Sequence, residues 1–246
     1  MRRLSRVDLF KIFLRAYYIQ GSWNYERMLN LGFCFCLIPV MKKLFSQPEE
    51  RISFLKRHLQ YFNSHPYFAS FALGATAKLE EQALIEKWPD YRPVTVFKER
   101  LCGPLGAIGD RLFWGMLKPF VAMLGVIFTL QWGLVGPAIF FIIYNAPHIY
   151  LRYFGIMRGY ELGFDIVREL SKRKYERYIH TISVLAILIF GVFLGWFTID
   201  KLYPTVRLML QFFLVALATF FMLKKELPMF LPIMFGLVLV LIFSMA

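Results

Sequence analysis

Four stretches of this chain carry no Asp, Glu, Lys or Arg: Pro119 to Leu151, Tyr178 to Ile199, Leu208 to Leu223 and Leu227 to Ala246. They limit the fold more than any other feature. A helix rises only ~1.5 Å per residue, so crossing the hydrocarbon core of a bilayer takes about 20 mostly apolar residues. The second and fourth runs meet that length, and the third does so with a flanking residue or two. A soluble protein with very apolar core helices fits poorly. Charged residues make up 18% of the 246 and hydrophobic residues 58%, where soluble domains average about 25% charged. The expected fold is an all-α integral membrane protein.

The formal net charge of +13 raises the question of nucleic acid. The cations sit beside apolar runs, as cytoplasmic loops and membrane-surface helices require. No zinc-finger spacing or RNA-binding motif accompanies them, so no nucleic-acid partner is expected. Of the three cysteines, Cys34, Cys36 and Cys102, the first two form C-x-C inside an apolar segment and read as buried thiols. No Cys/His/carboxylate set has metal spacing, and neither metal nor cofactor is expected. A cleavable leader is not expected either: Asp8 and Lys11 interrupt the apolar stretch, and no small-residue cleavage site follows.

The chain reads as one domain of six parts. Residues 1–62 should form amphipathic, interfacial helices. Leu4, Val7, Phe10, Lys11, Leu14 and Tyr18 have near-helical spacing with Arg3, Arg6 and Arg15 off the stripe, which suits a helix on a cytoplasmic membrane face or one packed on the rest of the protein. Gln47-Pro48-Glu49-Glu50 reads as a helix start. Residues 63–118 should hold re-entrant segments and loops: Pro66 bars helix at His65, Tyr67 to Ala77 is short and apolar, and the glycines of Leu101 to Asp110 suggest a sharp turn. Residues 119–151 form a broken apolar stretch, divided near Gly133, Gly136 and Pro137; two half-helices or one tilted span would fit. A cytoplasmic segment, 152–178, precedes transmembrane helices at 179–199, 207–223 and 227–245. The positive-inside rule then puts the N-terminus in the cytoplasm and the C-terminus outside.

Polar groups beside short apolar pieces are costly to bury and are therefore the candidates for function. Asn63 and His65 flank the forced break and offer both donors and acceptors, as sugar hydroxyls require. Glu80 and Glu81 follow the next apolar piece. The structural alternative is that Asn63 caps a turn, His65 is a satisfied core histidine and the glutamates are solvated. Gly103, Pro104, Gly106, Gly109 and Asp110 form a glycine-rich motif that is neither a P-loop nor a dinucleotide fingerprint. It suits close helix packing or a broken helix. Arg152, Tyr160 and Glu161 read as solvated, and His58, His148 and His180 as isolated from any other ligand cluster. Ser64 beside His65 is no evidence of a catalytic dyad, since such pairs form in space.

Several of these stretches resemble the IID component of the mannose/fructose/sorbose family of the bacterial phosphotransferase system. They are Ser22-Trp23-Asn24-Tyr25-Glu26-Arg27-Met28, Arg57 through Asn63-Ser64-His65-Pro66, Leu79-Glu80-Glu81, Gly103 through Asp110, Arg152 through Gly159-Tyr160 to Gly163, and Lys224-Lys225. They occur in the family's order and cover most of the chain. Ser64 replaces the usual Thr, Leu79 the usual Met, and Gly106-Ala107 reverses the usual order. The resemblance implies a multi-pass protein of the bacterial inner membrane. It would pair with a IIC subunit in a larger assembly and help move a hexose or amino sugar inward. Cytoplasmic IIA and IIB units would carry the phosphoryl group, so the chain itself has no catalytic residue and is not an enzyme. It also implies a place near the sugar path for Asn63, His65, Glu80 and Glu81. A shortened connection from Thr198 to Arg207 admits a non-transporting regulatory or scaffolding role instead. An intramembrane hydrolase using Ser64 or His65 lacks a second catalytic cluster.

Overall fold

The computed structural model describes residues 3–170 and 174–201, together with Phe213 and Leu217. Apart from those two residues, the spans expected at 207–223 and 227–245 lie outside the described residues, as does the position of the C-terminus. Among the described residues helix is the dominant structure, and the β pairing is limited to bridges Asn24–Met28 and Met28–Phe62. The chain divides into two compact units, Met1–Ile187 and Leu188–Ala246, a division the one-domain reading does not draw.

The first unit starts with α1 (Arg6–Ala16), opened by a reciprocal cap between Ser5 and Asp8. Leu9, Ile12, Phe13 and Ala16 face the core, while Val7, Phe10, Leu14 and Tyr18 are exposed. The stripe read from sequence is therefore the outer face, except that Leu4 is buried. A second apolar face holds the helix on the protein. α2 (Asn30–Leu44) is a core helix that accommodates Pro39. α3 (Pro48–His58) begins where proline and the two acids of its first turn imply. α4 (Ala69–Ile85) is the centre of the unit, with Phe71, Leu73 and Leu79 fully buried.

α5 (Arg92–Gly109) corrects one expectation. Residues 101–110 do not turn; the helix passes through Gly103, Pro104 and Gly106 and runs into a π-helical stretch, Asp110–Leu117, and then α6 (Lys118–Trp132). Gly109 serves close approach rather than a reversal. Pro119 has no amide to give the carbonyl of Gly115, and a widened turn accommodates such gaps. Arg92–Trp132 is the one stretch among the described residues that is long and apolar enough by length and composition to cross a membrane.

The chain reverses at Gly133, whose φ of 59° suits glycine, and returns as α7 (Val135–Leu162). A Cβ on Gly136 would lie 2.4 Å from the carbonyl oxygen of Gly125, so the two backbones touch across the hairpin. α7 does not stop at residue 151. It continues past Arg152 and ends at Gly163, φ 55°, so the segment expected to be cytoplasmic begins as helix. A 3-10 turn (Gly163–Asp165) and α8 (Ile166–Leu170) precede α9 (Lys174–Lys201), which includes the expected 179–199 span.

Candidate functional site

The end of α3 and the loop after it, residues 59–68, are fixed from several sides. Asn30 donates to the carbonyl of Leu59 at 2.6 Å, and the buried ammonium of Lys98 donates to that of Arg57 at 3.0 Å. Both satisfy carbonyls that a helix end leaves open, and the cation suits the negative pole of the helix. Further along, the carbonyl of Phe62 accepts from the amide of Leu29 at 2.8 Å.

Beyond these anchors the loop turns inward. Asn63 is exposed, while Ser64 and His65 are buried. The amide of Tyr67 donates to His65 Nδ1 at 3.3 Å. That fixes Nδ1 as an acceptor and leaves the proton of the neutral ring on Nε2. His65 Nε2 and Ser64 Oγ are buried without a hydrogen-bond partner among the described residues. The ring stacks on Phe113, centroids 5.4 Å apart, and meets Tyr67 and Trp114 at 4.8 Å each.

The glycine-rich motif explains how a ring fits there. A Cβ on Gly109 would fall 2.3 Å from His65 Cβ and 2.4 Å from Cγ, and one on Gly106 would lie 3.9 Å from Ser64 Cα. These two glycines, three apart on α5, form the face against which Ser64 and His65 rest. Gly103 and Pro104 are exposed and nothing lies within 4 Å of a Cβ on Gly103. Asp110 is exposed, and its neighbour Arg111 pairs with Glu176 at 3.8 Å.

The hydrogen bonds of the two glutamates go elsewhere in the fold. Glu80 is fully buried and takes both arms of Arg57 at 2.6 Å each; its Oε1 also meets His58 Nε2 at 2.9 Å. Burial favours the neutral carboxyl, but the hydrogen bonds of Arg57 and His58 and the charge of Arg57 outweigh it and hold the group below its ordinary range. Burial likewise holds His58 below its ordinary value and keeps the imidazole neutral, despite the nearby carboxylate. Glu81 accepts from the amide of Leu4 at 2.5 Å and from the hydroxyl of Tyr160 at 2.6 Å. Glu80 thus fastens α3 to α4, and Glu81 fastens α4 to α1 and α7.

Sequence reasoning missed a second cluster. Arg152 is buried on α7 rather than solvated, and His148 is buried there with it. Tyr67 stacks on His148, centroids 4.5 Å apart, lies 4.9 Å from the Arg152 guanidinium, and has its hydroxyl 3.4 Å from that of Tyr144. Tyr160 is likewise engaged, through Glu81, whereas Glu161 is exposed and pairs with Arg158 at 2.7 Å. A signal for this cluster was present. Ser70 and Gly74 are four apart on α4, and Gly155 and Gly159 four apart on α7, the small-residue spacing of close helix pairs. Among the described residues no three His, Cys, Asp or Glu side chains are grouped to hold a metal.

The PTS system mannose/fructose/sorbose family IID component matches residues 3–199 of the chain. The fructose permease IID component of Bacillus subtilis is 33% identical over 200 residues, covering 81% of this chain and 73% of the relative. The mannose-specific EIID component of Escherichia coli is 36% identical over 198 residues, covering 80% and 70%. A solved structure of the mannose transporter ManYZ in complex with a microcin superimposes with a TM-score of 0.65 at 31% identity, covering 98% of this chain and 96% of that one. Another, described as the structure of a membrane protein, gives a TM-score of 0.80 at 29% identity over 99% and 98%.

Proposed function

The chain belongs to the mannose/fructose/sorbose family of IID components of the phosphotransferase system, and from that footing we propose that it forms, with a IIC subunit, the path by which a hexose enters the cell. The relatives name mannose, fructose and sorbose, so the cargo is a ketose or aldose of that class, or an amino sugar of similar shape. Phosphoryl transfer is left to IIA and IIB, with IIB docking on the basic cytoplasmic face. The N-terminus lies in the cytoplasm and the C-terminus outside.

One observation carries the sugar-path reading. His65 Nε2 and Ser64 Oγ are buried polar atoms without a partner, and leaving such a group unpaired costs about 1–3 kcal/mol. His65 is packed among the rings of Tyr67, Phe113 and Trp114, and sugar recognition calls for apolar faces with a few polar groups. Exposed Asn63, two residues before His65, adds an amide with both donor and acceptor. Glu80 and Glu81 act in this reading by holding the elements around the loop.

The test is uptake of radiolabelled mannose, fructose and sorbose in cells deleted for this chain and supplied with IIC, IIA, IIB and phosphoenolpyruvate. Uptake should require the chain, and both His65→Ala and Asn63→Ala should lower it at unchanged complex level. Uptake unaffected by deletion would sink the proposal. Complex formation without uptake would point to the regulatory or scaffolding role instead.

A further inference from the structure

Helix α1 carries the basic N-terminal surface, and buried charges from two other helices hold it at its ends. At its start, the amide of Leu4 donates to Glu81 on α4 at 2.5 Å. At its finish, Arg152 Nη1 on α7 donates to the carbonyl of Ala16. The carboxylate meets the positive pole of the helix and the guanidinium meets the negative pole, so both ends are matched in sign. Both side chains are buried, Glu81 to 3% exposure and Arg152 to 4%.

Arg152 does a second thing. Its guanidinium carbon lies 5.1 Å from the ring of Tyr17, just past the end of α1, and 4.9 Å from the ring of Tyr67. The cation therefore sits between an aromatic ring of the α1 terminus and one of the loop. Tyr67 is the residue whose amide occupies His65 Nδ1. That bond, together with the packing of Tyr67 on the ring, favours the form of His65 that carries its proton on Nε2.

We propose that Arg152 is a positioning residue for sugar recognition: through Tyr67 it sets His65 as a hydrogen-bond donor, and through Ala16 it ties that setting to the pose of the N-terminal helix. The proposal rests on the reading of residues 63–67 as part of the sugar path. A planar cation can hydrogen-bond at its edge while its charge lies near two rings. An arginine suits this place better than a lysine. Binding energies are reciprocal, so a sugar that orders the loop must also order α1 to the extent that the two are coupled.

The experiment uses the whole IIC–IID complex, with IIA and IIB present for uptake. The probe is whichever of mannose, fructose and sorbose the wild-type complex takes up fastest. Arg152→Gln should raise the uptake KM about tenfold, the scale of a site residue displaced by a fraction of an ångström. In wild type, that sugar should slow hydrogen exchange of the amides in residues 59–68 and also in residues 3–20. In Arg152→Gln, the response of 3–20 should be lost. If the Gln variant does not assemble, Arg152→Lys carries the test. Its ammonium can still cap Ala16 but cannot reproduce the flat guanidinium between the rings, so the complex should assemble with KM still raised. A KM within about twofold of wild type in an assembled variant, or an α1 response that survives it, would overturn the proposal. If wild-type residues 59–68 do not respond to the sugar, the sugar-path reading itself fails, and the proposal falls with it.

Discussion

Gly103 and Gly109 lie six residues apart on one helix, and a methyl group means opposite things at the two. At Gly109 it would stand 2.3 Å from His65 Cβ and 2.8 Å from Nδ1, so either the ring or the helix must move. Overpacking of this kind costs about 1–3 kcal/mol, and the strain falls on the residue argued to meet the sugar. At Gly103 nothing lies within 4 Å, and alanine improves an exposed helical position by up to about 1 kcal/mol. Gly109→Ala should therefore cut uptake at least about tenfold, since 1.4 kcal/mol is a factor of ten, with the complex still present in the membrane. Gly103→Ala should transport like wild type. The check is initial uptake rate normalised to complex on immunoblots. Loss in both variants would place Gly103 against a partner helix and remove the contrast. His58 teaches the same lesson about side chains as these glycines do about space. Its partner Glu80 is 22 residues away, beyond the reach of local sequence rules.

Between elements, the closest meeting is that of α4 and α7. A Cβ on Gly74 would lie 2.1 Å from the carbonyl oxygen of Ile156, and one on Gly159 would lie 2.3 Å from that of Phe71. A Cβ on Gly155 would lie 2.1 Å from the hydroxyl of Ser70. The first two obstacles are backbone, which cannot rotate away; the third is a side-chain oxygen, which can. Gly74→Ala and Gly159→Ala should thus lower the thermal midpoint of the detergent-purified complex more than Gly155→Ala does. The larger effect should exceed the ordinary overpacking cost of about 1–3 kcal/mol. Melting followed by size-exclusion recovery orders the three, and equal midpoints would contradict the argument. This pairing also shows what local rules could and could not reach. Pro48 with Glu49 and Glu50 marked the start of α3, and Pro66 marked the break before α4, because caps and proline act within a few residues. The glycines at 103–109 were misread as a turn. Whether a glycine bends the chain or admits a neighbour depends on what lies opposite, and His65 is 44 positions away in sequence from Gly109. Asn63 and His65 were legible as candidates from that same break. The engagement of Glu80 by Arg57 and of Glu81 by Leu4 and Tyr160 was not, since each is a contact of 23 or more positions.

At the scale of the molecule, burial is unevenly shared. Helices α2 and α4 hold side chains with no exposure at all, such as Phe33, Leu37, Phe71 and Leu73. The α6–α7 hairpin instead turns large apolar groups outward: Leu134 is 89% exposed, Phe141 66%, Ile142 63% and Tyr150 66%. Contiguous apolar faces of this size mark a surface that lipid or protein covers. Lipid alone would satisfy the aliphatic groups. It would not satisfy the polar side of the same unit, where Asn63 is exposed beside the unpartnered Ser64 and His65 atoms, because unsatisfied polar groups in hydrocarbon cost several kcal/mol each. In the proposed complex a IIC face would cover this side of the unit. Binding a partner stabilises only the folded form, and a change of 1–2 kcal/mol shifts cellular abundance several-fold. Expressed without IIC, this chain should still reach the membrane fraction but turn over faster. Co-expression should lengthen its pulse-chase half-life by about threefold or more, in line with that several-fold scale. A half-life indifferent to IIC would mean that lipid suffices for the exposed face.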